Sequence, residues 1–294
     1  MKLLIGAVCL AVAVAVSAVD ISSSEDLYVY DFHRRFGIPE AKRIQQYENT
    51  KIVGGFITDV SETPYQAGIL IQILSFFTSV CGASLISSTR LVTAAHCQSD
   101  GVFTAQFFTV VLGSNTIYSG GLRIVTHDVV LHPNWDAFNI ANDIAVIRIS
   151  PVTFTESIQP INLPSGSEIL DDFVGWKALA SGFGLTSDGG TITNSQPISS
   201  VTVSVITNEE CVAMFGSFVR TTNICTSGVG GKGTCSGDSG GPLAITKDNR
   251  KHLDDLIKTA KSGCSTPAPN GKIHTLMGIC DRIKNQLIAL PGLK

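Results

Sequence analysis

Charge is scarce in this chain. Only 15% of its 294 residues are Asp, Glu, Lys or Arg, and the formal net charge is −3. Such a balance gives no strong electrostatic pull toward nucleic acid. Beyond residue 18 no run is long and apolar enough to cross a bilayer, which takes roughly 20 residues. The cysteines lack paired CxxC spacing and the six histidines are scattered, so no zinc site is readable. Residues 113–123 hold no acidic cluster that would suit calcium. The glycine-rich turn at 228–233 does not have P-loop spacing, and no repeat of solenoid length recurs. Residues 19–51 contain no cysteine at all. If the backbone behind that stretch is cut, no disulfide can keep it attached.

The chain opens on MKLLIGAVCLAVAVAVSAVD: one lysine, an apolar core over 3–16, then the small pair Ser17-Ala18. That is the pattern of a secretory signal peptide, here residues 1–18. The protein is therefore expected to be secreted and extracellular, with its cysteines in an oxidising compartment. Seven cysteines remain after position 18, and an odd number leaves at least one without an intramolecular partner. With 44% hydrophobic residues and 28 glycines, the composition is that of a turn-rich globular protein.

Residues 19–51 are polar and charged, with Arg34-Arg35, Lys42-Arg43 and Lys51. From 52 to about 246 the character changes. The runs AGILIQIL, FFTVVLG, LRIVTHDVVL, DIAVIRI and VTVSVI alternate with Gly, Asn, Ser and Pro. Many short strands at such spacing predict an all-β sandwich or barrel. Residues 186–196, TSDGGTITNSQ, read as a polar loop.

Three islands carry chemistry. LVTAAHC ends on His96-Cys97, NDIAVIRI sets Asp143 at the head of an apolar strand, and GTCSGDSGGPL surrounds Ser239 with glycines. Taken alone, His96 reads as a structural histidine and Asp143 as a strand-end cap. Ser239 is different. A serine hydroxyl is a weak nucleophile at neutral pH and needs a base beside it. The oxyanion it generates needs backbone N–H donors nearby. Gly237 lets the chain turn so that its own N–H and that of Ser239 can point at one spot, and Gly240 and Gly241 let the backbone pass close behind. Cys235 can pin the loop.

With IVGG at Ile52, TAAHC ending at Cys97, NDIAV at Asn142 and GDSGGPL ending at Leu243, the chain resembles the trypsin/chymotrypsin family of serine endopeptidases over roughly 52–246. The order His, Asp, Ser suits that family. The resemblance implies an all-β fold of two antiparallel β-barrels packed face to face, the active site in the cleft, and a short C-terminal helix. It gives Ser239 the attack on the scissile carbonyl, His96 the proton transfer and Asp143 the orientation of the imidazole. Gly237 and Ser239 would form the oxyanion hole. Cleavage after Lys51 would free the α-amine of Ile52 to pair with Asp238, which before the cut has no partner. That makes 19–51 a propeptide and 52–294 the protease domain. Gly233 stands where members that cut after Lys or Arg carry an aspartate, so a chymotrypsin-like preference for apolar or aromatic residues is implied. The implied disulfides are Cys81–Cys97, Cys211–Cys225 and Cys235–Cys264, with Cys280 left over. Neither metal nor cofactor is implied. The partners are protein or peptide substrates, an activating protease and protein inhibitors. Neither nucleic acid nor, once the signal is removed, a membrane is among them, and the chain is taken as a monomer.

After Asn249 the likeness falters. The family continues with an apolar strand and a Ser-aromatic-Gly stretch, whereas this chain reads RKHLDDLIKTAKSGC. Leu253, Leu256 and Ile257 are spaced i, i+3, i+4, which predicts a helix. Residues 281–290 carry a similar apolar side. Residues 247–294 hold a net +5 against −8 for the remainder. On this reading the second barrel lacks strands and the pocket a wall. A catalytically impaired protease-like protein is the competing reading.

Overall fold

The computed structural model describes residues 29–49, 59–164, 171–184, 198–229, 237–247, 250–253, 256–259 and 278–282. Two seven-stranded antiparallel sheets make up the architecture. The first contains β1 (Gln66–Ile73), β2 (Phe77–Ser87), β3 (Arg90–Thr93), β4 (Phe107–Leu112), β5 (Leu122–Thr126), β6 (Val129–Leu131) and β7 (Ala145–Arg148), in the order β5-β4-β1-β2-β3-β7-β6. The second contains β8 (Lys177–Gly182), β9 (Ser199–Ile206), β10 (Asn223–Thr226), β11 (Leu243–Lys247), β12 (Arg250–Leu253), β13 (Leu256–Thr259) and β14 (Gly278–Arg282), in the order β12-β11-β8-β9-β10-β14-β13.

The β-branched runs become strands because pairing satisfies their backbone while their side chains fill the space between strands. Ile69, Ile71, Leu85, Leu91, Phe108, Val110, Leu112, Ile144 and Ile147 form the first core. A smaller one in the second sheet holds Ala178, Ala180, Val203, Val205, Ile224, Leu243 and Ile245. Strand β2 is buried without interruption from Ser79 to Leu85. A strand covered on both faces needs small residues where another backbone comes close. A Cβ on Gly82 would stand 2.8 Å from Cα of Gly241, so only glycine fits there.

Helix α1 (Ile38–Asn49) follows a five-residue π-type turn over His33–Gly37. Pro39, which has no N–H to donate, falls at the junction where the π-type turn passes into α1. Helix α2 (Asn208–Phe215) starts on a capping box: the Glu210 N–H donates to Thr207 Oγ1 at 3.2 Å, and the Thr207 N–H to Glu210 Oε2 at 2.9 Å. A disulfide from Cys211 to Cys225 ties α2 to β10.

The late segment corrects the sequence reading. Leu253 ends β12 and Leu256 and Ile257 open β13, so the three leucine and isoleucine positions belong to two strands, not one helix. Strand β12 pairs with β11, and β13 with β14. The β11–β12 hairpin and the longer-range β13–β14 ladder override a three-residue pattern that was too short to fix a period. Among the described residues the second sheet has seven strands, as many as the first, and the segment past Asn249 supplies β12, β13 and β14 where a loss of strands was expected. Asp281 and Arg282 lie in β14 rather than in a helix. The short C-terminal helix otherwise falls on 283–294, outside the described residues, as does the signal peptide at 1–18.

Candidate active site

His96 sits on a single helical turn, Ala95–Cys97, directly after β3. The disulfide Cys81–Cys97 joins that turn to β2 and fixes where it begins. Asp143 comes from the neighbouring strand, two residues before β7, whose Ala145 pairs with Thr93 at the end of β3. The residue before it, Asn142, has φ +60°, a left-handed conformation that asparagine tolerates better than most side chains. That kink turns Asp143 inward, which explains the Asn-Asp pairing in the sequence. Both His96 and Asp143 are completely buried. The carboxylate accepts twice from the histidine: the backbone N–H of His96 donates to Oδ1 at 2.8 Å, and Nδ1 lies 2.7 Å from Oδ2. With Nδ1 donating, the imidazole is held in the tautomer whose Nε2 has a free lone pair.

Ser239 rides on a turn built by Gly237 (φ +92°) and Gly240 (φ +79°), backbone that other L-residues rarely adopt. The turn is pressed against the first sheet. The Gly82 N–H donates to the Ser239 carbonyl at 2.6 Å, and Sγ of Cys97 lies 3.8 Å from the same oxygen. A Cβ on Gly240 would strike Thr93 Oγ1 at 2.3 Å. The serine turn and the histidine turn thus share one wall. Nε2 of His96 and Oγ of Ser239 are both buried, and neither has a hydrogen-bond partner among the described residues. The hydrogen bond that general-base catalysis needs between these two atoms is not made in the uncut chain.

Asp238 departs from expectation. In the uncut chain its Oδ1 accepts from the Gly184 N–H at 2.9 Å, so the carboxylate has a partner before any cleavage. The backbone of β8 is shaped around it: a Cβ on Gly182 would lie 1.9 Å from that oxygen. Its prospective partner Ile52 lies outside the described residues, together with Lys51, Gly233, Cys235 and Cys264. The pocket floor and the Cys235–Cys264 bridge are therefore not described. Cys280 pairs through its backbone with Ile224 and Lys258.

Several residues at this site come from the segment read as merely polar. The Phe32 ring stands 4.6 Å from the His96 ring, centroid to centroid, and is fully buried. The His33 N–H donates to Asp100 Oδ2 at 2.8 Å, and its Nδ1 lies 2.8 Å from Ser79 Oγ. Burial lowers the His33 pKa to about 4; the nearby His96 adds to the shift and Asp100 opposes it. Glu40 is buried against Gly237 and ion-paired to Arg43. Burial pushes its carboxyl above the ordinary value, Arg43 opposes the shift and Asp238 adds to it. The signal for these contacts was present: Tyr28, Tyr30, Phe32 and Phe36 concentrate aromatics in a stretch otherwise rich in charge.

A buried His–Asp pair beside a serine on a glycine turn, between two antiparallel sheets, defines a serine peptide hydrolase. The chain belongs to the trypsin family, whose match covers residues 52–273 and so runs past Asn249. It is 42% identical to brachyurin of Leptuca pugilator over 196 residues, 65% of this chain and 80% of that protein. To chymotrypsin of Phaedon cochleariae it is 33% identical over 261 residues, 87% of each. A solved HL collagenase structure superposes with TM-score 0.66 at 30% identity, covering 80% of this chain and 94% of that one.

Proposed function

We propose that the chain is a secreted zymogen that becomes an endopeptidase when cut after Lys51, with Ser239, His96 and Asp143 as its catalytic residues. The observation that carries this reading is the buried carboxylate–imidazole pair, which fixes the tautomer a base must have to take a proton from serine. Ser239 attacks the scissile carbonyl, His96 receives its proton, and the acyl-enzyme forms as the amine leaves with that proton. The N–H groups of Gly237 and Ser239 receive the oxyanion. Water, activated by the same imidazole, then releases the acid. Before this cycle can run, Oγ of Ser239 and Nε2 of His96 have to come within hydrogen-bond reach, a shift that follows the cut and the pairing of the Ile52 amine with Asp238.

The absence of a carboxylate at Gly233 supports a preference for apolar or aromatic side chains over Lys and Arg. One experiment tests all of this. The secreted proform is cut after Lys51, the products are separated, and the large fragment is treated with a serine-directed fluorophosphonate. Mass shift at Ser239, with faster turnover of Phe and Tyr anilides than of Lys and Arg anilides, is the expected result. No labelling of a folded fragment supports the catalytically impaired reading instead, and a strong preference for Lys or Arg refutes the role given to Gly233.

A further inference from the structure

Residues 29–49 do not lie beside the catalytic groups by accident of a loose tether. They follow one continuous track across them. Tyr30 meets Phe138 edge-on at 6.4 Å, and the Asp31 N–H donates to the Asp100 carbonyl at 3.2 Å. Next, Phe32 covers the imidazole of His96 while His33 bonds Asp100 and Ser79. The chain then turns so closely over β2 that a Cβ on Gly37 would fall 1.9 Å from Ser79 Oγ. Helix α1 continues past the serine turn, where Glu40 Cγ would be 3.2 Å from a Cβ on Gly237. The Tyr118 hydroxyl donates to the Ala41 carbonyl at 2.7 Å. Ala41 and Ile44 finally insert among Val80, Val111, Ile117 and Phe183. Phe32 and Ile38 are likewise built into the first core.

This track touches the imidazole of His96 and the glycine that opens the serine turn. An imidazole that passes a proton from serine to a leaving amine has to be reached by that amine. The imidazole is fully buried in the intact chain, and the Phe32 ring is one of the groups packed on it. The segment has no cysteine, and the family match begins only at Ile52. After a cut behind Lys51, noncovalent contacts are what retains it.

We infer that residues 29–49 form an inhibitory peptide that stays on the catalytic cleft after the chain is cut, so that activation takes two events: cleavage and departure of the segment. This rests on the catalytic reading proposed above. The surface it binds is made of Ser79, His96, Asp100, Tyr118 and Gly237, and its chemistry is that of an amphipathic peptide with a phenylalanine anchor. In the intact chain the tether supplies an effective concentration of about millimolar, which the cut removes. The freshly cut protein is therefore inhibited when concentrated and active when dilute.

The test uses the full secreted chain, cut after Lys51. Gel filtration of the concentrated product is expected to show the segment travelling with the large fragment, and dilution to release hydrolytic activity with a lag. The segment recovered from the cut is then labelled with a fluorophore and titrated onto the separated fragment, following anisotropy and hydrolysis together. Binding with competitive inhibition by about 0.1 mM, a tenth of what a short tether supplies, is expected. A synthetic 29–49 peptide carrying Phe32→Ala is expected to bind roughly 100-fold more weakly, the scale of emptying a buried phenylalanine site. Because the substitution sits in the free peptide, folding of the enzyme is not at stake. Hydrolysis by the separated fragment with no anisotropy change overturns this inference. An anisotropy change without any hydrolysis counts against the catalytic reading alone. Equal binding by the two peptides overturns the role of Phe32 as anchor.

Discussion

Replacing Asp143 with asparagine changes one oxygen to an NH2 and leaves the shape alone. The consequence can be worked from the two hydrogen bonds that Asp143 accepts from His96, one at each oxygen. An amide offers a single acceptor to those two donors. The backbone N–H of His96 cannot change its protonation, so the amide oxygen stays with it. The NH2 must then face Nδ1, which has to become an acceptor. The ring proton moves to Nε2, and the imidazole no longer has a lone pair to receive the Ser239 proton. A wrong tautomer of this kind lowers kcat by about 10⁴, or about 5.5 kcal/mol of barrier. The assay is kcat on a phenylalanine anilide at pH 8, per titratable active site, with the segment 19–51 removed. Thermal unfolding of the variant should shift by only a few degrees, because the volume is conserved and both hydrogen bonds to His96 are kept, one with its direction reversed. Asp143→Asn retaining more than about a tenth of the wild-type rate would refute the reasoning.

Gly182→Ala should drive its methyl into the Asp238 carboxylate, costing about 1–3 kcal/mol in thermal unfolding and slowing acylation of Ser239. Removing the Cys211–Cys225 bridge with a double serine variant opens a loop of sequence separation 14 and should cost about 3 kcal/mol, read as a lower denaturant midpoint. The hold of residues 29–49 should weaken in acid. His33 has its pKa lowered to about 4 when docked, against 6.5 when released, so the undocked state takes up the proton more readily. Its contribution is complete above pH 6.5 and is lost by roughly tenfold per unit as pH falls toward 4. Glu40, with its carboxyl pushed upward, pulls the other way, since protonation favours its buried form. Anisotropy titrations of the segment from pH 7 to 4 with His33→Asn beside the native peptide isolate the histidine part; identical slopes would refute it.

The local sequence was enough to single out His96, Asp143 and Ser239 as candidates, and for two of them the backbone reason is also local: Asn142 for the kink before Asp143, Gly237 and Gly240 for the turn that carries Ser239. Strands rich in Val and Ile were legible too, and AGILIQIL became β1 almost residue for residue. The run LRIVTHDVVL divided into β5 and β6, since its first half pairs with β4 and its second with β7. Strand β2 escaped notice despite being the longest in its sheet. Its FTSVCGASLIS is rich in small and polar residues because the serine turn packs against it, and that neighbour is 157 positions away at Gly82 and Ser239. The tail misled for a related reason: the strands around Leu253 and Leu256 are dictated by partners on β11 and β14. Aromatics at Phe32 and Tyr30 could be counted but not placed, because the contacts that place them, His96 for Phe32 and Phe138 for Tyr30, lie in distant parts of the chain.

The bond from Gly82 to Ser239 couples the two halves of the molecule in an unexpected way. Ser239 belongs by sequence to the chain that enters β11, yet its carbonyl is fastened to β2. Asp238, one residue earlier, is held instead by the Gly184 N–H just beyond β8, so two adjacent residues of the serine turn are fastened to different sheets. The turn is thereby a rivet between the halves, and moving one against the other means breaking a bond on one side of it.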